Sequence, residues 1–273
     1  MENMIEYFAV FGGVKMYVDT TLPLKELIEV KILEKYKYLR NDVSELTNNN
    51  NKYHQILTAL ALGDRRTNSA FRKTDIKFDE GIDAVDKLCD TGMLNLEKSL
   101  QYYTNLPKNN DISEKLLFTT PFARFWFSFI SPIFKGIRDG NYEEFEKEYE
   151  KKSSEFSTLI FEQLSHEVLK ESFAKSGDKI KEIGRYWDDE VQLDILGKTQ
   201  SGKIIVGSTK YINSKVKKTE LTRVKQICAK LGIETDIFVL FSKKGFTSEL
   251  KSLKGENLKL FTPRNFNQLI KED

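Results

Sequence analysis

The stretch that most constrains this chain is LDILGKTQSGKIIVGSTKY, residues 193–211. Gly197, Gly202 and Lys203 have the G-x-x-x-x-G-K spacing of a phosphate-binding loop. Such a loop needs Ser or Thr after the lysine to hold Mg2+, and a helix starting there whose amides cradle phosphate. Here Ile204, Ile205 and Val206 follow, a β-branched run that prefers a strand. The stretch therefore reads as two strands joined by a hairpin connection rich in Gly, Gln and Ser.

Strand alternation then sorts the polar side chains. Ser208 and Lys210 are two apart and share one face, as do Gln192 and Asp194. The hairpin brings Asp194 opposite the far end of the next strand. Metal-dependent phosphodiester hydrolysis uses carboxylates to hold Mg2+ and a lysine to position the attacking water. Asp194 and Lys210 supply two of the three parts.

The flanking pattern completes an α/β layer. SEFSTLIFEQLSHEVLKESF (154–173) is an amphipathic helix, KEIGRYW (181–187) a strand, EVQLDILG (190–197) and KIIVGSTKY (203–211) the hairpin. KKTELTRVKQICAKLG (217–232) is a helix with Leu221, Val224, Cys228 and Leu231 on one face, closed by Gly232. TDIFVLFS (235–242) is nearly all apolar, as in a sheet covered on both faces. LKLF (258–261) adds a shorter strand and PRNFNQLI a last helix, so residues 153–273 form an α/β sandwich. Arg185 and Trp187 share a strand face by parity, a pair that covers the sheet.

Residues 1–152 are helical. LKELIEVKILEKYKYL (24–39) has helical spacing and ends near the polar run TNNNN (47–51). YHQILTALALG, TNSAFRKT and EGIDAVDKLCDTG give three short helices, and MLNLEKSLQYY a short β wing, a winged helix-turn-helix over about 52–104. Its third helix offers Asp83, Asp86 and Asp90 against Lys87, which phosphate repels, so this module is expected to contact protein or to serve as a scaffold. PFARFWFSFISPIFKGI (121–137) is an aromatic packing helix, and GNYEEFEKEYEKK (140–152) a charged, solvated stretch.

Composition excludes several classes. A hydrophobic content of 40% with 19 Phe and 11 Tyr argues against global disorder. The longest apolar run is interrupted by Arg124, Ser128, Ser131 and Pro132 and is too short to span a bilayer. The N-terminus lacks a basic flank with an apolar stretch behind it, and Cys89 and Cys228 read as two reduced thiols, so a cytoplasmic location is expected. With only His54 and His166, a zinc site or a histidine triad lacks partners. The net charge of +2 conceals 13 Lys/Arg against 5 Asp/Glu between Lys210 and Arg264, a segment suited to a polyanion. Lys217, Lys218, Lys225 and Lys230 fall away from the apolar stripe of their helix and are the nucleic-acid-binding candidates.

These motifs resemble the PD-(D/E)XK nuclease superfamily, and more closely the C-terminal domain of unknown function carried by archaeal-type ATPases. Members have an FGG entry to a winged helix, an aromatic R-F-W/Y-F-x-F-I helix, an F-E dipeptide, a G-R-W-W strand, then E-I-D-I-V-A and G-E-C-K-W. The corresponding segments here are VFGGV (10–14), ARFWFSFI (123–130), FE (161–162), IGRYWD (183–188), VQLDILG (191–197) and VGSTKY (206–211), in that order. The resemblance implies a restriction-endonuclease-like fold with Asp194, Lys210 and Glu162 as catalytic residues, and Asp194 and Glu162 as Mg2+ ligands. Two positions depart from it: Ser208 and Gln192 stand where the family has acids. Each change removes a negative charge from the face that should hold a hard cation. Glu190 has the parity of Asp194 but lies roughly 13 Å along the strand, too far to share an ion. With only residues 1–9 before the first motif, the ATPase domain that members carry upstream is not expected in this chain.

A degenerate nuclease-like protein that interacts with nucleic acid without catalysis is the leading expectation. The alternatives are an active Mg2+-dependent DNA endonuclease rescued by Glu162, and a regulatory subunit that contacts a separate ATPase through its winged helix. DNA through the basic C-terminal segment and an ATPase are the expected partners; no membrane is. No cofactor is required unless the site is active, when Mg2+ is.

Overall fold

The computed structural model describes residues 2–109 and 112–269. Its contacts divide the chain into two units: Glu6–Lys98 with Ser113–Ser153, and Met1–Ile5 with Ser99–Ile112 and Ser154–Asp273. The first unit is helical with a two-stranded sheet, and the second holds a five-stranded mixed sheet.

α1 (Glu2–Phe11), which belongs to the helical unit from Glu6, ends in a Gly12–Gly13 turn. Gly13 has φ 84°, and a Cβ there would stand 2.6 Å from the Thr120 side chain. Phe122 N donates to Gly12 O at 3.1 Å, so this turn sits against the start of the aromatic segment. The long helix expected over 24–39 is interrupted. α2 (Leu24–Ile28) passes into a π-helical turn, Glu29–Leu33, before α3 (Tyr36–Leu46) begins. α4 (Asn51–Leu62), α5 (Thr67–Thr74) and α6 (Phe78–Asp90) pack on one another.

A strand pair follows them. β1 (Leu94–Glu97) is antiparallel to β2 (Lys115–Phe118), with Leu94 opposite Phe118. The wing expected within 93–103 therefore has a different second strand. Chain after Lys98 is held elsewhere: Leu100 N donates to Arg185 O at 2.9 Å, Ser99 Oγ to Trp187 O at 2.7 Å, and Gln101–Tyr103 form a 3-10 turn. The aromatic segment begins as α7 (Pro121–Phe125), capped by Thr120 Oγ1 accepting from Ala123 N. It continues as a π-helical turn, Trp126–Ile130, breaks at Pro132 and resumes as α8 (Phe134–Arg138). Phe125, Phe127 and Ile130 are fully buried.

The charged, solvated stretch expected at 140–152 is mostly exposed, and from Glu143 onward it is the start of one helix, α9 (Glu143–Lys175). Glu143, Glu144 and Glu146 favour its positive N-terminal end. Phe145 and Tyr149 anchor it, stacked at 5.6 Å and in edge contact with Phe125.

In the sheet unit, β3 (Ile180–Trp187), β4 (Gln192–Thr199) and β5 (Ile204–Lys210) form an antiparallel meander. β6 (Ile237–Ser242) and β7 (Leu258–Phe261) extend it in parallel. The sheet order is β3-β4-β5-β6-β7. Between β5 and β6 runs α10 (Lys218–Leu231), stopped by Gly232 at φ 65°, a left-handed position glycine fills without strain. A short α11 (Ser248–Ser252), missed by periodicity, precedes β7, and a 3-10 segment covers Pro263–Leu269. Ile270, the end of the helix expected there, lies outside the described residues.

Alternation puts two different cores on the two sheet faces. Val206 and Leu240 pack with Leu221, Val224, Cys228 and Leu231 of α10. Tyr211 and Phe241 meet Phe161 of α9, which stacks on Phe266 at 5.2 Å. At Gly207 the backbones of β5 and β6 close up: a Cβ there would lie 2.1 Å from Val239 O.

Candidate functional site

The two strands that the sequence implies form an antiparallel hairpin. Thr199 ends β4 and Ile204 begins β5, so Gly197 and Gly202 belong to a strand and its turn, with no helix after Lys203. Ile195 pairs with Gly207, which places Asp194 beside Ser208. Ser208 Oγ donates to Asp194 Oδ2 at 3.0 Å, and Thr209 N donates to the same oxygen at 2.9 Å. Gln192 Nε2 lies 3.5 Å from Asp194 Oδ1, at the limit of a hydrogen bond. His166, one helical turn beyond Glu162 on α9, donates its Nε2 proton to the Asp194 carbonyl at 2.8 Å and pins this point of β4.

Ser208 and Lys210 face α10, and two residues of that helix complete the cluster. Glu220 Oε1 is 3.4 Å from Lys210 Nζ. It also accepts from Arg223 Nε at 3.0 Å and Nη2 at 2.6 Å, while Nη2 lies 3.5 Å from Ser208 Oγ. Burial by itself would raise the Glu220 carboxyl, but the hydrogen bonds from Arg223 and the charges of Lys210 and Arg223 outweigh it, and the group is held below its ordinary value. The hydrogen bond to Glu220 raises Arg223, against burial, and the charges of Glu220 and Asp194 add to it. Asp194, Ser208, Lys210, Glu220 and Arg223 thus form one cluster of two carboxylates and two cations.

Glu162 belongs to a second pair. Its side chain, 10% exposed, lies 3.1 Å from Arg185 Nε, and Arg185 is itself 1% exposed. Arg185 sits at an irregularity of the β3–β4 ladder between Gly184 and Tyr186. Lys210 pairs with Glu220, not with Glu162.

A divalent cation does not fit these residues. A hard cation gathers six or more oxygen ligands, several of them charged. Asp194 Oδ2 already accepts two hydrogen bonds, and the nearest second carboxylate, Glu220, is bound to a guanidinium and an ammonium. A metal would have to displace Arg223 and withstand Lys210. No group of three or more His, Cys, Asp or Glu placed to hold a metal occurs among the described residues.

The four candidate phosphate-binding lysines all lie on or next to α10 and are exposed. Lys218 is 3.3 Å from Glu249, and Lys230 bonds Glu190. Lys225 lies 5.3 Å from the Phe238 ring centroid, and Lys217, at the N-cap of α10, has no ion pair among the described residues. Among those residues no helix is long and apolar enough to cross a membrane.

Sequence reasoning missed Glu220 and Arg223. The available signal was their place in the helix: each directly precedes a residue of the buried stripe, Leu221 and Val224, so both sit at the rim of the helix-sheet contact.

No curated protein and no solved structure matches the chain. Residues 126–224, which include Glu162, Arg185, Asp194, Ser208, Lys210, Glu220 and Arg223, match the model of DUF234, a family of archaeal and bacterial proteins of unknown function.

Proposed function

We propose that the sheet unit is a nuclease-like domain that has exchanged its metal for an internal cation and acts on nucleic acid by binding alone. One observation carries this reading: the Arg223 guanidinium, held by Glu220, stands beside Ser208 and Asp194 where the resemblance would have a metal held by a second acid. An arginine there satisfies the electrostatics of the carboxylates permanently. It offers neither open coordination positions nor a bound water of lowered pKa, which the hydrolytic chemistry requires. The surviving function is contact with phosphate by the exposed lysines around α10, in the segment richest in positive charge.

The helical unit takes a different role in this reading. α4, α5, α6 and the β1–β2 pair are a winged helix whose third helix exposes Asp79, Asp83, Asp86 and Asp90. Like charge keeps this surface off DNA. It is a contact for a protein, with a separate archaeal-type ATPase as the partner that the sequence resemblance names. Electrophoretic mobility shift of a duplex at rising salt tests the binding claim. Binding that weakens steeply with salt and is reduced by Lys217→Ala supports it; absence of binding by the folded protein at low salt overturns it.

A further inference from the structure

We infer that the helical unit binds a small organic phosphate in a cleft between the end of α3, the start of α4 and the aromatic segment. This site is independent of the nuclease-like cluster. The cleft has a volume of about 330 Å³, at the lower end of the range for small-molecule pockets. Tyr36, Arg40, His54, Asn49, Asn51 and Trp126 line it, and none of its lining residues is acidic.

Three observations point to an anion with an organic body. Arg40 is exposed and has no ion-pair partner among the described residues. Tyr36 is only 4% exposed, yet its hydroxyl, a donor into a cleft that already holds Arg40, has no hydrogen-bond partner among the described residues. Its ring is buried against Trp126 while the hydroxyl opens on the cleft, where a ligand oxygen can accept its proton. The cleft also receives the N-terminus of α4, a helix of 12 residues. Its cap, Asn50, satisfies Lys52 N, which leaves the amides of Asn51 and Tyr53 for an anion.

The wall is built with unusual backbone. Trp126 opens one π-helical turn, and Tyr36 lies three residues beyond the other, which ends at Leu33. The two rings stack at 5.8 Å with an interplanar angle of 1°. π-Helical turns are rare and concentrate at functional sites. Asn48 and Asn49 adopt φ of 52° and 53°, and their amides bond Glu45 O and Ser44 O, which brings Asn49 to the rim. The arrangement suits a phosphomonoester: its charge at Arg40, Tyr36 and the α4 amides, its organic part along Trp126 and Phe134.

Isothermal titration of the full chain with inorganic phosphate, adenosine 5′-monophosphate and adenosine tests the site. The monophosphate is expected to bind more tightly than phosphate, and adenosine not at all. Arg40→Ala should weaken monophosphate binding by about tenfold or more, Tyr36→Phe by several-fold, and Lys217→Ala not measurably, with an unchanged melting temperature for Arg40→Ala. No binding of phosphate or monophosphate by the folded protein at millimolar ligand overturns the proposal. So does binding that survives Arg40→Ala, or binding lost equally in Lys217→Ala.

Discussion

Ser208 donates its hydroxyl proton to Asp194 across the β4–β5 hairpin at 3.0 Å, so a neutral donor now serves the carboxylate from the position where the resemblance would have a second acid. That contact, with Arg223 behind it, leaves a cluster whose carboxylates are neutralised from within. Restoring the charge should restore the cation. Ser208→Glu combined with Arg223→Ala adds one carboxylate and removes one cation beside Asp194. Titration calorimetry with Mn2+ should detect binding in this double variant and none in the parent. Equal Mn2+ binding by both would show that the parent site already accommodates a metal.

Glu220 makes the cluster sensitive to acid. Its carboxyl is held below the ordinary 4.5, so its charged form favours the folded state. This stabilisation is complete above the ordinary glutamate range and is lost as pH falls through the depressed folded value. With a side chain 14% exposed, Glu220→Gln should cost about 1 kcal/mol in urea unfolding at neutral pH. The difference between parent and variant should shrink as the solution is made acidic; a difference that grows there would reverse the sign of this account.

The buried pair of Arg185 and Glu162 should respond asymmetrically. Removing one partner strands a buried charge, and Arg185→Met alone should cost about 3–5 kcal/mol. Arg185→Met with Glu162→Leu should cost clearly less than the single change, because no charge is then left unpaired. If the double variant is the less stable of the two, the cost comes from packing and not from charge.

Gly207 tests the strand geometry that positions Ser208. A methyl group there meets the Val239 carbonyl, a backbone atom that cannot swing aside. Gly207→Ala should destabilise by about 1–3 kcal/mol, read as a lowered denaturant midpoint. An unchanged midpoint would mean that β5 and β6 are further apart than the structure has them.

The strands of the sheet unit were legible because each is bounded by turn residues and β6 is nearly all apolar, and α10 because Leu221, Val224, Cys228 and Leu231 repeat at helical spacing. β2 was not, since KLLF carries four residues and its partner lies far back in the chain. The first turns of α9 were hidden by their charge; what makes them helical is Phe145 and Tyr149 meeting Phe125, a tertiary contact. Neither π-helical turn leaves a periodic trace, as each merely interrupts a helical pattern. In the site, Asp194, Ser208 and Lys210 followed from strand parity. Glu220 and Arg223, an i, i+3 pair within α10, reach the site only because α10 is laid on the sheet.

Cleavage of supercoiled plasmid by the purified chain with Mg2+ or Mn2+, with and without EDTA, beside Asp194→Ala and Lys210→Ala proteins, tests the central claim most directly. The account predicts no metal-dependent nicking above the variants, from a folded protein that still binds DNA in a salt-dependent way. Nicking that requires the metal and disappears in both variants would contradict it, and would mean that Arg223 yields its place to a cation when substrate arrives.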